Sequence, residues 1–328
     1  MFNWQSTSWE GWKKMRERLP HAVLIQGGEG WGEFEFARAA AQSLLCEKLG
    51  PGGRACGSCA ACGWFALGNH PDFRLVVPDS MAPETEAGAE PVKKKSDQIR
   101  IDQIRELADF LAVGTHRAGL RVILIYPADV MNANTQNALL KALEEPPPAT
   151  VFLIVSTQPD RLLPTVRSRC QKLALSIPDP ARVLPWLKEQ GVEHPESALA
   201  AAGGAPLGAL KGAGAEGDRL AFVEGLGRPK FDPVALAESV QRVPLWDLVG
   251  WLQRWSFDLL LSRATGRVRY HLGQEKTVAD IAARCEAASI AAYLRQLAQA
   301  RGLAKHPLNP KLFVEDLLLQ YQRLTERP

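Results

Sequence analysis

The 328-residue sequence has no uninterrupted apolar run near the roughly 20 residues that a membrane span requires, although 46% of it is hydrophobic. It also lacks a strong charge of either sign. The 39 Lys and Arg against 36 Asp and Glu leave +3, which is no footprint for nucleic acid unless the cations cluster. The one basic cluster, Lys93 to Lys95, lies in "PDSMAPETEAGAEPVKKKSDQ", which has no apolar periodicity and reads as a solvated loop. The opening "MFNWQSTSWEGWKKMRERLP" mixes tryptophan with charge and has no apolar signal-peptide core, so the expectation is a cytoplasmic protein with no membrane contact. Cysteine is scarce, six in all. Without an export signal, thiols point to metal or to buried side chains rather than to disulfides.

What is there is an α/β pattern followed by an all-α one. "AVLIQ" (22–26), "FRLVV" (73–77), "RVILIY" (121–126), "VFLIVS" (151–156) and "QKLAL" (171–175) are short, branched and continuous, as buried parallel strands are. Helical spacing separates them in "EFEFARAAAQSLLCE", "IDQIRELADFLAVG" and "NANTQNALLKALEEPPP", the last stopped by its prolines. After residue 176 the strand signal ends. Residues 177–216 read as a small helical domain and 217–328 as a larger one, whose Leu- and Trp-rich stripes read as internal core ahead of the alternative, a face for a partner chain.

"HAVLIQGGEGWGEFEF" has the outline of a phosphate-binding loop, G-x-x-x-x-G-K-[ST], in which backbone amides cradle phosphates, lysine meets the β and γ groups, and the hydroxyl holds magnesium. Gly27 and Gly32 fill the glycine positions, but Glu33 stands for the lysine and Phe34 for the hydroxyl. One charge pair at 4 Å is worth roughly 4 kcal/mol at an effective dielectric of 20, and inverting its sign turns attraction into repulsion of similar size. The strand "RVILIY" should end in acids that organise magnesium and water. Tyr126 and Pro127 stand there instead, and Asp129, two positions late, is expected to cap the next helix. No ATP binding is expected, and no hydrolysis.

Cys46, Cys56, Cys59 and Cys62 form C-x9-C-x2-C-x2-C, and each C-x2-C directs two thiolates at one tetrahedral ion. Four thiolates leave no open position, so the expectation is structural Zn2+. Cys170 and Cys285 have no partner at ligand spacing and read as core thiols. Arg169, in "TVRSRCQ", taken alone reads as a surface ion-pair residue.

"LPHAVLIQGGEGWG", the four-cysteine segment and "NALLKALEEPPPATVFLIVSTQPDRLLPTVRSRCQ" together resemble the AAA+ subunits of the bacterial DNA polymerase III clamp loader, over most of residues 18–175. The resemblance implies a RecA-like domain with an inserted zinc module (1–176, zinc at 46–62), a helical lid (177–216) and a helical collar (217–328) that joins five subunits. It implies an arginine finger at Arg169, offered in trans to ATP held by a neighbour, with Arg167 a weaker candidate. The implied partners are gamma/tau ATPase subunits, a delta subunit, the sliding clamp indirectly, and primer-template DNA within the complex. A lid arginine that would sense the chain's own nucleotide is replaced by Leu207 in "GAPLGAL", while Ser156 and Thr157 keep the polar character of a sensor at a strand tip.

Two other classes fit less well. A divergent NTPase active on its own would need Lys48 or Asp129 as substitutes, and neither has the loop geometry. A zinc-containing DNA-binding module would need a basic recognition helix beside the cysteines, and none adjoins them. Glu144 and Glu145, at a helix end beside prolines, are expected to be solvated or paired and carry no catalysis.

Overall fold

In a computed structural model, residues 1–82, 95–112, 114–116, 119–230, 232–304, 306 and 309–326 are described. Lys93 and Lys94 of the basic cluster lie outside the described residues. The chain divides into two compact units, Met1–Arg182 and Val183–Pro328.

The first unit is built on five parallel strands, β1 (Ala22–Gln26), β2 (Phe73–Val76), β3 (Arg121–Ile125), β4 (Thr150–Ser156) and β5 (Gln171–Ala174), in the order β2-β3-β4-β1-β5. The helices are α1 (Ser6–Glu17), α2 (Glu33–Leu45), α3 (Ala60–Ala66), α4 (Ile101–Ala112), α5 (Ala133–Glu144) and α6 (Pro164–Ser168). Strand side chains alternate between faces, and the alternation splits the core in two. Val23, Ile25, Val122, Leu124, Leu153 and Val155 pack with Trp9 and Trp12 of α1 and Phe36, Ala37, Ala40 and Ala41 of α2. Ala22, Leu24, Ile123, Ile125, Phe152 and Ile154 pack with Ile104 and Leu107 of α4, Leu139 and Leu143 of α5, and Val166 of α6. Continuous apolar strands covered on both faces are what the sequence pattern required.

The sheet therefore brings the C-terminal ends of β1, β3 and β4 to one edge, where the glycine loop leaves β1 and enters α2. Gly32 is the N-cap of α2 at φ +85, a left-handed conformation that an L side chain rarely adopts. The helix near 132–145 runs from Ala133 to Glu144, and its N-cap is Asn132, whose side chain accepts the Thr135 amide. Asp129 does not cap it, contrary to the expectation. Its buried Oδ1 instead accepts from Ser156 Oγ at 2.7 Å and from the Thr157 amide at 3.0 Å, tying the turn after β3 to the tip of β4.

The boundary between the units falls within α7 (Pro180–Glu189). The second unit continues with α8 (Pro195–Ala201), α9 (Pro206–Gly212), α10 (Glu216–Gly227), α11 (Pro233–Ser239), α12 (Leu245–Thr265), α13 (Glu275–Arg284), α14 (Ala287–Leu303) and α15 (Pro310–Thr325). Its core gathers Phe222, Leu252, Trp255, Leu259, Ile290, Leu297 and Tyr321. The polar tips of the aromatics are satisfied inside it: Trp255 Nε1 donates to Tyr321 Oη at 2.8 Å, and Tyr293 Oη donates to the Leu317 carbonyl at 2.9 Å. Cys285 is buried there, and Cys170 is buried in the first unit. No helix of the described residues is long and apolar enough to cross a membrane.

Candidate functional site

The glycine loop is occupied by the chain itself. Glu33 is 3% exposed, although its Cα opens a helix at the edge of the sheet. Its Oε2 accepts the Trp31 amide of the loop at 3.1 Å, and its Oε1 accepts the Tyr126 hydroxyl at 3.2 Å. The carboxyl thus takes up an amide of the kind that would otherwise cradle phosphate, and it joins the two degenerate halves of the site to each other. Burial raises its pKa, opposed by bonds from backbone amides and from Tyr126. Phe34 stacks on Tyr126 with ring centroids 4.8 Å apart. Pro127 follows, and no acid stands at that strand end.

The N-terminal segment closes over the loop from the other side. Trp4 Nε1 donates to the Trp31 carbonyl at 2.9 Å, and Gln5 Nε2 to the Gly32 carbonyl at 2.6 Å. The Phe2 ring lies so near Gly32 that an added Cβ would meet it at 2.6 Å, and the Trp31 ring leaves 2.4 Å to a Cβ at Gly28. Both glycines serve close approach, here of indole and phenyl rings. Sequence reasoning missed Phe2, Trp4, Gln5 and Trp31. A tryptophan inside a loop that must admit phosphate was the readable sign.

The four cysteines converge. Cys46 ends α2, Cys59 caps α3, and Cys62 lies in its first turn. All four Sγ atoms lie within 4.8 Å of one another, with Cys46 to Cys59 at 3.9 Å and Cys56 to Cys62 at 4.0 Å. A tetrahedral ion at about 2.3 Å from each sulfur requires edges of roughly 3.8 Å, so the set can hold a metal. Backbone amides point at the sulfurs, from Cys56 to Cys46 at 3.2 Å and from Cys59 to Cys56 at 3.3 Å. Hydrogen bonds from Ser58, amide first, bring the Cys56 thiol down to about 6, whereas burial pushes Cys62 up to about 12. Trp9 Nε1 and Arg16 of α1 bind the Gly52 and Gly53 carbonyls, fixing the intervening loop to the body of the unit.

Arg169 is the C-cap of α6 and partly exposed. Its Nη1 donates to the Thr165 carbonyl at 2.9 Å, and its Nη2 lies 2.6 Å from Glu144 Oε1. Arg167 pairs with Asp160 at 3.0 Å, Glu145 is exposed, and Leu207 lies half-buried on α9. The Lys48 carbonyl accepts from Cys46 within the cysteine loop.

A family model described as DNA polymerase III, delta subunit, matches residues 6–179, which includes the glycine loop, the four cysteines and Arg169. The DNA polymerase III subunit delta' of Pseudomonas aeruginosa is 36% identical over 99% of this chain and 98% of its own length. The chain belongs to the delta' family of DNA polymerase III. The family also has more distant relatives. DNA polymerase III subunit gamma/tau of Mycobacterium tuberculosis is 28% identical over 68% of this chain and 38% of its own length. A solved DNA polymerase III gamma subunit-related protein from Thermotoga maritima aligns with 97% of this chain and 100% of its own, at 16% identity and a TM-score of 0.46. The delta' assignment gives a setting to the parallel sheet, the altered loop and the four-cysteine cluster.

Proposed function

We propose that the chain is a non-hydrolysing subunit of the bacterial clamp loader, supplying Arg169 in trans to ATP on a neighbouring gamma/tau subunit while the complex loads a sliding clamp onto primed DNA. The carrying observation is the Glu33 carboxyl seated in the glycine loop and bonded to Tyr126, where a lysine and an acid would be needed for the chain's own nucleotide. A guanidinium fork stabilises charge developing on a transferred phosphoryl group, and such a finger supplied in trans is worth about 10³ to 10⁵ in rate in other systems. In this reading delta completes a hetero-pentamer, residues 177–216 form this chain's helical lid and residues 217–328 its collar domain, and the complex works in the cytoplasm.

The metal in this reading is Zn2+ on Cys46, Cys56, Cys59 and Cys62. Four soft sulfur donors near tetrahedral spacing, three of them already met by backbone amides, suit a closed structural site. When bound, the ion cross-links the end of α2 to the start of α3, and its chemistry is confined to that.

Titration of the purified chain with ATP and magnesium should show no tight binding. In the reconstituted complex Arg169→Ala should lower ATP turnover at least 10-fold while assembly, followed by gel filtration, is retained. Robust turnover by the isolated chain, or full activity of the Arg169→Ala complex, would overturn the reading.

A further inference from the structure

The guanidinium of Arg169 is held by two helix ends. Its own helix α6 supplies the Thr165 carbonyl, and α5 supplies the Glu144 carboxylate at 2.6 Å. The α5 helix also fixes the path of the chain into α6. Gln136, 2% exposed, accepts the Leu163 amide at 2.6 Å through Oε1 and donates to the Arg161 carbonyl at 3.2 Å through Nε2. Gln136 and Glu144 are eight residues apart, about 80° around the axis, so the same helix that fixes the entry to α6 also carries the carboxylate. Pro146 to Pro148 follow the C-cap Glu145 and end the helix at Glu144.

We propose that Glu144 is a positioning residue for Arg169, restricting the guanidinium to one rotamer so that its remaining donors face outward toward a phosphoryl group on the adjoining subunit. The inference rests on the finger reading above. A free arginine side chain must be ordered before it can act, and a close carboxylate partner removes much of that freedom beforehand. Thr165 accepts one donor, on Nη1, and Glu144 forms an ion pair at Nη2, so of the five donors that a guanidinium carries others are left for a phosphate. The side chains are 34% and 48% exposed, so the pair itself adds little to the stability of the fold and its effect belongs to orientation.

The test is a double-mutant cycle on the ATPase of the reconstituted complex. Glu144→Ala should lower kcat about 3- to 10-fold with KM unchanged, and Glu144→Gln, which keeps an acceptor oxygen, should recover part of the loss. In an Arg169→Ala background Glu144→Ala should cause no further change. A wild-type kcat for Glu144→Ala beside an impaired Arg169→Ala overturns this inference alone, as does an equal additional loss in the Arg169→Ala background. An unimpaired Arg169→Ala overturns the finger reading and the positioning role with it.

Discussion

At the scale of single residues, the Glu33–Tyr126 pair turns burial into a pH dependence. Burial raises the Glu33 pKa above its ordinary 4.5, so the folded chain keeps the proton to higher pH than the unfolded chain does. Ionisation of Glu33 therefore lowers stability as pH climbs through the folded pKa, and the loss is absent below about 4.5, where both states are protonated. The Tyr126 hydroxyl opposes this by donating to the carboxylate. Tyr126→Phe should cost about 1 kcal/mol at pH 8, and clearly less at pH 4, where the carboxyl no longer needs a donor for a charge. Urea unfolding of both proteins at the two pH values measures it, and an equal loss at both would show that Glu33 ionisation is not involved. The glutamate was legible because the loop motif is local. Its partner, 93 residues away in sequence, was not. The same limit explains Asp129, which suited a local cap but found Ser156 on another strand.

Among the elements, strands were read to within a residue or two because continuous branched runs have few alternatives once both faces are buried. Covering of the loop by residues 2–5 was not legible, since Trp4 and Gln5 reach it through contacts of 26 and 27 residues' separation. That covering has a consequence for any attempt to restore nucleotide binding. Glu33→Lys with Phe34→Thr rebuilds the motif but leaves Phe2, Trp4 and Trp31 against the loop, so calorimetric titration should still find no tight ATP binding. Removing residues 1–5 as well should be required for any gain. The cysteine element was legible in full because its spacing is short. About one zinc per chain is expected by elemental analysis of the native protein. Thiolates must be deprotonated to bind, so zinc should be released on acidification as well as by chelators. A loss of about 2 kcal/mol on its removal would lower the thermal midpoint by roughly 4–8 °C. Cys59→Ser should reproduce that shift without chelator.

Across the whole molecule, the buried apolar cores divide between the two units: one group of side chains lies within 22–175 or the N-terminal helix, the other within 222–324. The helical unit has its own polar anchor, which no motif announced. Asp258, fully buried on α12, accepts the amides of Arg269, Tyr270 and His271 at 2.9 to 3.2 Å and meets His271 Nδ1 at 2.9 Å. His271 in turn stands edge-on to Trp255, whose indole binds Tyr321 of α15. A carboxylate with several amide donors looks in sequence like any acid in an amphipathic helix, because its partners come from the chain reversal after α12. Asp258→Ala would strand those donors in a dry site at about 1–3 kcal/mol each, so a total loss of 3 kcal/mol or more is expected. Since the residues of this network all lie in the second unit, hydrogen exchange read peptide by peptide should accelerate in 245–325 and leave β1, β3 and β4 protected. Equal acceleration in the strands would mean that the two cores unfold as one cooperative body.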